Sequence, residues 1–198
     1  MKQYLYIFTL IILTSCYISR KVESASSLKI DKNFSVVFDK PSEPKYLLSE
    51  DESKFKSLFI EGLKNELINY NVTVIENDVE KSDFVLKITS FRLRETVSTS
   101  TVEDPASEYN GQQYSLHSCD AGVDFVLLKE GVETEKGWAG VNKDEKLTNN
   151  RNVGDYVLGT NKDGSEYRHK QLSEDIFDDL SQRAGRRTAA RITKKLTK

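Results

Sequence analysis

The chain reads as an α+β domain, a two-layer sandwich in which a mixed four- or five-stranded sheet carries two helices on one face. Three observations predict it. A strand, an amphipathic helix and a second strand follow one another between Phe34 and Ile75. Ala121, Val123, Phe125 and Leu127 alternate with Asp120, Gly122 and Asp124, the period of a half-buried strand. Finally, Ile176, Leu180, Ala184, Thr188, Ile192 and Leu196 recur every four residues, with Phe177 widening the stripe, as in a helix docked through one side.

Taken in order, residues 1–15 read as a leader, 16–32 as a short flexible tether containing Ser24-Ala25-Ser26-Ser27, and 33–198 as a single domain. Phe34 to Phe38 is rich in β-branched and aromatic residues and forms the first strand, ended by Pro41-Ser42-Glu43-Pro44. A helix follows from about Glu50, with Ser49 as its cap and Glu50, Asp51 and Glu52 complementing the dipole. Phe55, Leu58, Phe59, Leu63 and Leu67 make its apolar stripe. Asn71, tolerant of a left-handed backbone, closes it before the strand Val72-Thr73-Val74-Ile75. The crossover places the first two strands parallel. Phe84, Leu86 and Ile88 share one parity and Phe91 and Leu93 the other, which predicts a bulge near Thr89-Ser90. Asn110-Gly111 and Glu130-Gly131 mark turns. The segment from Asn142 to Lys170, with Gly154, Gly159 and Gly164, reads as a surface excursion. The last helix starts at Ser173.

At the amino terminus, Lys2 precedes the apolar run Tyr4 to Leu13, and Thr14-Ser15-Cys16 follows. A charged start, a short apolar core and small residues describe a secretory signal, and the run is about half the ~20 residues that span a bilayer. The ending Leu13-Thr14-Ser15-Cys16 resembles the lipobox of bacterial lipoproteins. That resemblance implies that Cys16 takes a diacylglycerol and further acyl chains such as palmitate, and becomes the first residue of the mature protein. A retained anchor over Tyr4 to Ile18 and a non-lipidated secreted chain are the alternatives. Tyr17 stands where inner-membrane lipoproteins of enteric bacteria carry Asp, so by analogy the destination is the outer membrane.

Composition narrows the role. Loss of residues 1–15 removes Lys2 and no acid, moving the formal charge from -2 to about -3, which argues against a general nucleic-acid binder. Cys119 has no intramolecular partner once Cys16 is lipidated, so no disulfide framework exists. His117 and Cys119 could pair as a nucleophile and its base, but they share the core parity of Ala121 and Val123, so both are expected to face the core. The two histidines lie far apart in sequence and no zinc spacing is present. Asn161-Lys162-Asp163-Gly164 has turn chemistry and lacks the remaining ligands of a calcium loop. No catalytic residue, metal or cofactor is expected. In the last helix the acidic start Glu174, Asp175, Asp178 and Asp179 gives way to Arg186, Arg187, Arg191, Lys194 and Lys195. Such a run complements the helix dipole, and it also offers a contact for an anionic ligand such as phosphorylated lipid A.

The order of lipobox, strand, helix, strand, Ser82-Asp83-Phe84-Val85-Leu86-Lys87-Ile88, hairpin and terminal helix resembles small outer-membrane accessory lipoproteins, among them the lipopolysaccharide-assembly lipoprotein. This resemblance implies a non-enzymatic envelope protein, anchored by Cys16 to the outer membrane and facing the periplasm. It would act as an accessory or assembly factor with an outer-membrane protein or lipopolysaccharide as partner. A secreted or surface-exposed ligand-binding module or hydrolase is the alternative.

Overall fold

The computed structural model describes residues 26–76, 81–105, 107–149 and 167–196. Its elements are β1 (Ser26–Asp31), β2 (Val36–Asp39), α1 (Glu52–Ile68), β3 (Val72–Ile75), β4 (Phe84–Thr101), β5 (Gln113–Lys129), β6 (Val132–Asp144), β7 (Lys146–Asn149), β8 (Tyr167–Lys170) and α2 (Ile176–Leu196). The main sheet runs β3-β1-β4-β5-β6, with β2 also paired to β4, and β7 and β8 form a separate antiparallel pair. The α+β class and the two helices on one face are as the sequence predicts, on a sheet of six strands.

The sixth strand is β1. Residues 26–31, assigned by sequence to the tether, lie between β3 and β4 and pair with both in parallel. Leu28 and Ile30 point into the core, and Ser27 clamps Asp83: its backbone N–H and hydroxyl reach Oδ2 at 2.8 and 2.7 Å, and Asp83 N–H donates to Ser27 Oγ. Asp83 is held below the usual carboxylate range chiefly by the Ser27 hydroxyl bond. Residues 17–25 lie outside the described residues; a stretch of that length spans at most about 35 Å between Cys16 and Ser26.

Long β4 organises the sheet. β1 lies along its first part, with Leu28 opposite Phe84, and β2 along its middle, with Val36 opposite Phe91. The predicted bulge is present: the β4–β5 register shifts between Ile88 and Ser90, so Ile88 and Phe91 both face inward despite their odd separation. β2 starts two residues later than the sequence suggested, and Phe34 instead fills the core against Phe59 and Phe91, with ring centroids 5.9 and 6.4 Å away. β2 and β3 run in the same direction, as the crossover requires, but β3 pairs with β1.

Asp51, not Ser49, caps α1, its carboxylate accepting the Lys54 N–H at 3.0 Å. Asn71 adopts the left-handed backbone expected of it, φ +56°. Helices α1 and α2 cross in close contact at two glycines. A Cβ on Gly62 would stand 2.8 Å from the Gln182 carbonyl carbon, and one on Gly185 2.7 Å from the Leu63 nitrogen. α2 begins at Ile176, after a turn at Glu174-Asp175, and its predicted stripe is buried throughout. Asp178 and Asp179 in its first turn pair with Lys54 and Lys143.

Candidate functional site

Beyond the bulge, the inward parity of β4 passes from Phe91 and Leu93 to Glu95, a carboxylate at a core position and almost wholly buried. Opposite it on β5 stand Cys119 and, one inward position on, His117. A second buried carboxylate, Glu145, follows β6 and extends its pairing: Glu145 N–H donates to the His117 carbonyl, and His117 N–H donates to Glu145 Oε2 at 3.0 Å.

All four carboxylate oxygens are occupied. Glu95 Oε1 accepts the Lys45 N–H at 2.8 Å and lies 2.7 Å from His117 Nδ1, while Oε2 accepts the N–H groups of Tyr46 and Leu47 at 3.1 and 2.7 Å. Glu145 Oε1 accepts the Lys45 ammonium at 2.7 Å and the Tyr46 hydroxyl, and His169 Nε2 lies 3.0 Å from Oε2. The Tyr46 oxygen in turn accepts the Leu172 N–H. Six segments meet here: the loop before α1, β4, β5, the end of β6, β8 and the approach to α2.

The electrostatics follow from burial against hydrogen bonding. Burial alone would raise Glu145, but bonds from Lys45, Tyr46, the His117 backbone and His169 bring it down to about 2. Glu95 is likewise pushed up by burial and brought below its usual range by the Leu47, Lys45 and Tyr46 N–H groups. Burial raises the Tyr46 phenol, and its bond to Glu145 adds to this. Cys119 is pushed up to about 12 by burial first and then by Glu95. A thiol so protonated and fully enclosed is no nucleophile near neutral pH. Carboxylates with every oxygen engaged are held as anchors, and freeing one to accept a proton would break the joint.

His117 and His169, separate in sequence, meet at one joint, the His117 ring on Glu95 and the His169 ring on Glu145, which also accepts the His117 backbone N–H; linear spacing could not reveal this. Lys45, Tyr46, Glu95, Glu145 and His169 were not singled out by sequence. The one available signal was Glu95 falling in the apolar parity of Phe91 and Leu93. Part of the predicted excursion between Asn142 and Lys170 is therefore fixed, through the end of β6, Glu145, β7, β8 and His169; Asn161 to Gly164 lies outside the described residues. Among the described residues no group of three or more His, Cys, Asp or Glu is arranged to hold a metal ion.

Cys16 also lies outside the described residues. The five predicted cations are all on the exposed side of α2, opposite its buried stripe. Lys195 reaches Glu135 at 2.9 Å, whereas Arg186, Arg187 and Arg191 carry no ion pair among the described residues. No helix among them is long and apolar enough to cross a membrane.

No family model matches the chain, and no curated protein matches it. Among solved structures, it is similar to a protein described as a neuraminyllactose-binding hemagglutinin homolog from Helicobacter pylori. That likeness has 11% identity, covers 90% of this chain and 88% of the other, and has a TM-score of 0.48. It is similar also to a minor lipoprotein from Acinetobacter baumannii, with 15% identity, 84% and 94% coverage and a TM-score of 0.38. A protein described as a lipoprotein from Caulobacter crescentus gives 13% identity, 82% and 87% coverage and a TM-score of 0.32. The functional reading rests on the chain's own residues.

Proposed function

We propose that the protein is a lipid-anchored, non-enzymatic component of a bacterial envelope, held by acyl chains on Cys16 and acting as an accessory or assembly factor at the outer membrane. The observation that carries this reading is the sequence Leu13-Thr14-Ser15-Cys16 at the end of a short apolar run. The fold gives it support: nine residues separate Cys16 from the first strand, so an acylated chain keeps its domain within about 35 Å of the bilayer. From the start of β4 beside β1 to its far end is about 55 Å at ~3.3 Å per residue, so the β4–β5 hairpin reaches away from the tethered end. A short leash with a projecting hairpin suits a protein that contacts a partner near its own membrane. The saturated carboxylates and protonated Cys119 favour a binding role over a catalytic one. The exposed cations of α2 supply a contact for the phosphates of lipopolysaccharide.

Crosslinking in intact cells, detergent extraction and affinity purification test the assembly role. A stoichiometric outer-membrane barrel protein is the expected companion. Recovery of the protein alone, together with turnover of a substrate, would favour the secreted hydrolase instead.

A further inference from the structure

The sheet face turned away from the helices holds Trp138, the single tryptophan of the chain, half of it open to solvent. In register, Trp138 stands opposite Asp124 and Ser90; the next outward row is Gly140, Gly122 and Arg92, and the one after is Asn142, Asp120 and Arg94. The indole lies down over the glycine row. A Cβ on Gly140 would be 2.5 Å from the ring's Cη2, and one on Gly122 would be 3.5 Å from Nε1. Glycine inside a strand weakens it and marks a close approach. Here two glycines make a floor on which the ring rests, leaving its other face outward.

The surroundings of that face are polar. Asp120 is tied to Arg94 at 2.8 Å, but the side chains of Asp124, Arg92 and Trp138 itself have no hydrogen bond or ion pair among the described residues. The outward aliphatic positions nearest in the register are Val126, beside Lys136, and Val37, opposite Arg92 at the far side from the indole, two isolated side chains. A protein hot spot would need a dry, apolar collar around the aromatic, which this patch lacks. A flat π-face ringed by a carboxylate acceptor, an indole N–H and a guanidinium matches an amphipathic ring with one C–H face and a hydroxyl edge.

We propose that Trp138, Asp124 and Arg92 form a glycan-binding platform. A pyranose ring stacks on the exposed indole face, its hydroxyls donate to Asp124, and Arg92 takes a ring oxygen or an acidic substituent. The proposal rests on the outer sheet face alone and stands whether or not Cys16 is acylated.

Trp138 is its own reporter, because no other tryptophan contributes to the emission. Full-length protein in lauryldimethylamine oxide, which has no sugar headgroup, would be titrated with chitobiose and with N-acetylglucosaminyl-N-acetylmuramic acid. The expected result is a saturable change in tryptophan emission with at least one of them, weakened at least fivefold by Asp124→Ala or Arg92→Ala. Gly140→Ala pushes the ring off its floor and is expected to abolish binding, read by saturation-transfer NMR, with the circular dichroism spectrum retained. Should Gly140→Ala fail to fold, the Asp124 and Arg92 variants still decide. No saturable change up to 20 mM of either sugar, or equal affinity in both of those variants and the parent, would overturn the proposal.

Discussion

Glu145 shows most plainly how single residues set the behaviour of this fold. Its carboxylate is buried yet charged, because Lys45, Tyr46, His117 and His169 supply the hydrogen bonds that water would otherwise give. Its folded pKa, about 2, lies below the ordinary glutamate value of 4.5, so it stabilises the fold above pH 4.5 and that contribution is lost as pH falls toward 2. A difference of this size corresponds to about 3 kcal/mol. Urea unfolding of Glu145→Gln should therefore show a loss of about 2–4 kcal/mol at pH 7 and a flatter dependence between pH 4.5 and 2 than the parent. Equal slopes in the two proteins would mean that Glu145 is not the group that titrates. Little of this joint was legible beforehand, because its bonds join positions such as Tyr46 and Glu145 that are 99 residues apart. The core parity of Glu95 was the one local trace. Cys119 was legible: its alternation with Ala121 and Val123 places it inside, where it lies.

At the scale of elements, pattern was informative wherever an element buries one side of itself. The stripe from Ile176 to Leu196 and the alternation in β5 depend on nearest neighbours in the same element, and both are realised. The bulge at Ile88/Ser90 was visible because a change of parity has no other outlet in a strand that keeps one face buried. β1 was hidden for the opposite reason. Its six residues begin with two serines, and what makes them a strand is pairing on both sides and the Asp83 clamp, none of it local. The glycine crossing of the helices was also unread, since a helical glycine has no signature until its partner is known. Gly185→Ala would drive a methyl into the backbone of α1 between Phe59 and Leu63, and thermal unfolding should report a loss of about 2–4 kcal/mol. An exposed control such as Arg187→Ala should change stability by less than about 0.5 kcal/mol. The cations of α2 make a separate prediction. Replacing Arg186, Arg187 and Arg191 with Gln should weaken lipopolysaccharide binding in a pull-down without lowering the melting temperature, and unchanged binding would remove these residues from the contact.

For the molecule as a whole, the strand order fixes the end at which the chain enters the sheet. Ser26 enters the sheet beside Val72 and close to Phe84, at the same end as the β5–β6 turn, where Glu130 and Gly131 take positive φ angles. Lys195 near the end of α2 reaches Glu135, opposite Leu127, so the basic end of the helix shares this end of the domain. The Glu95–Glu145 joint and the hairpin tip occupy the other. An acyl group on Cys16 would thus join the domain at the end that carries Lys195, with the hairpin tip at the opposite end. The measurement that tests this account most directly is metabolic labelling with an alkyne fatty acid, followed by fractionation of the parent and Cys16→Ala. Label and outer-membrane residence are expected for the parent, and loss of both for the variant. A parent protein that is unlabelled and released into the soluble fraction would contradict it.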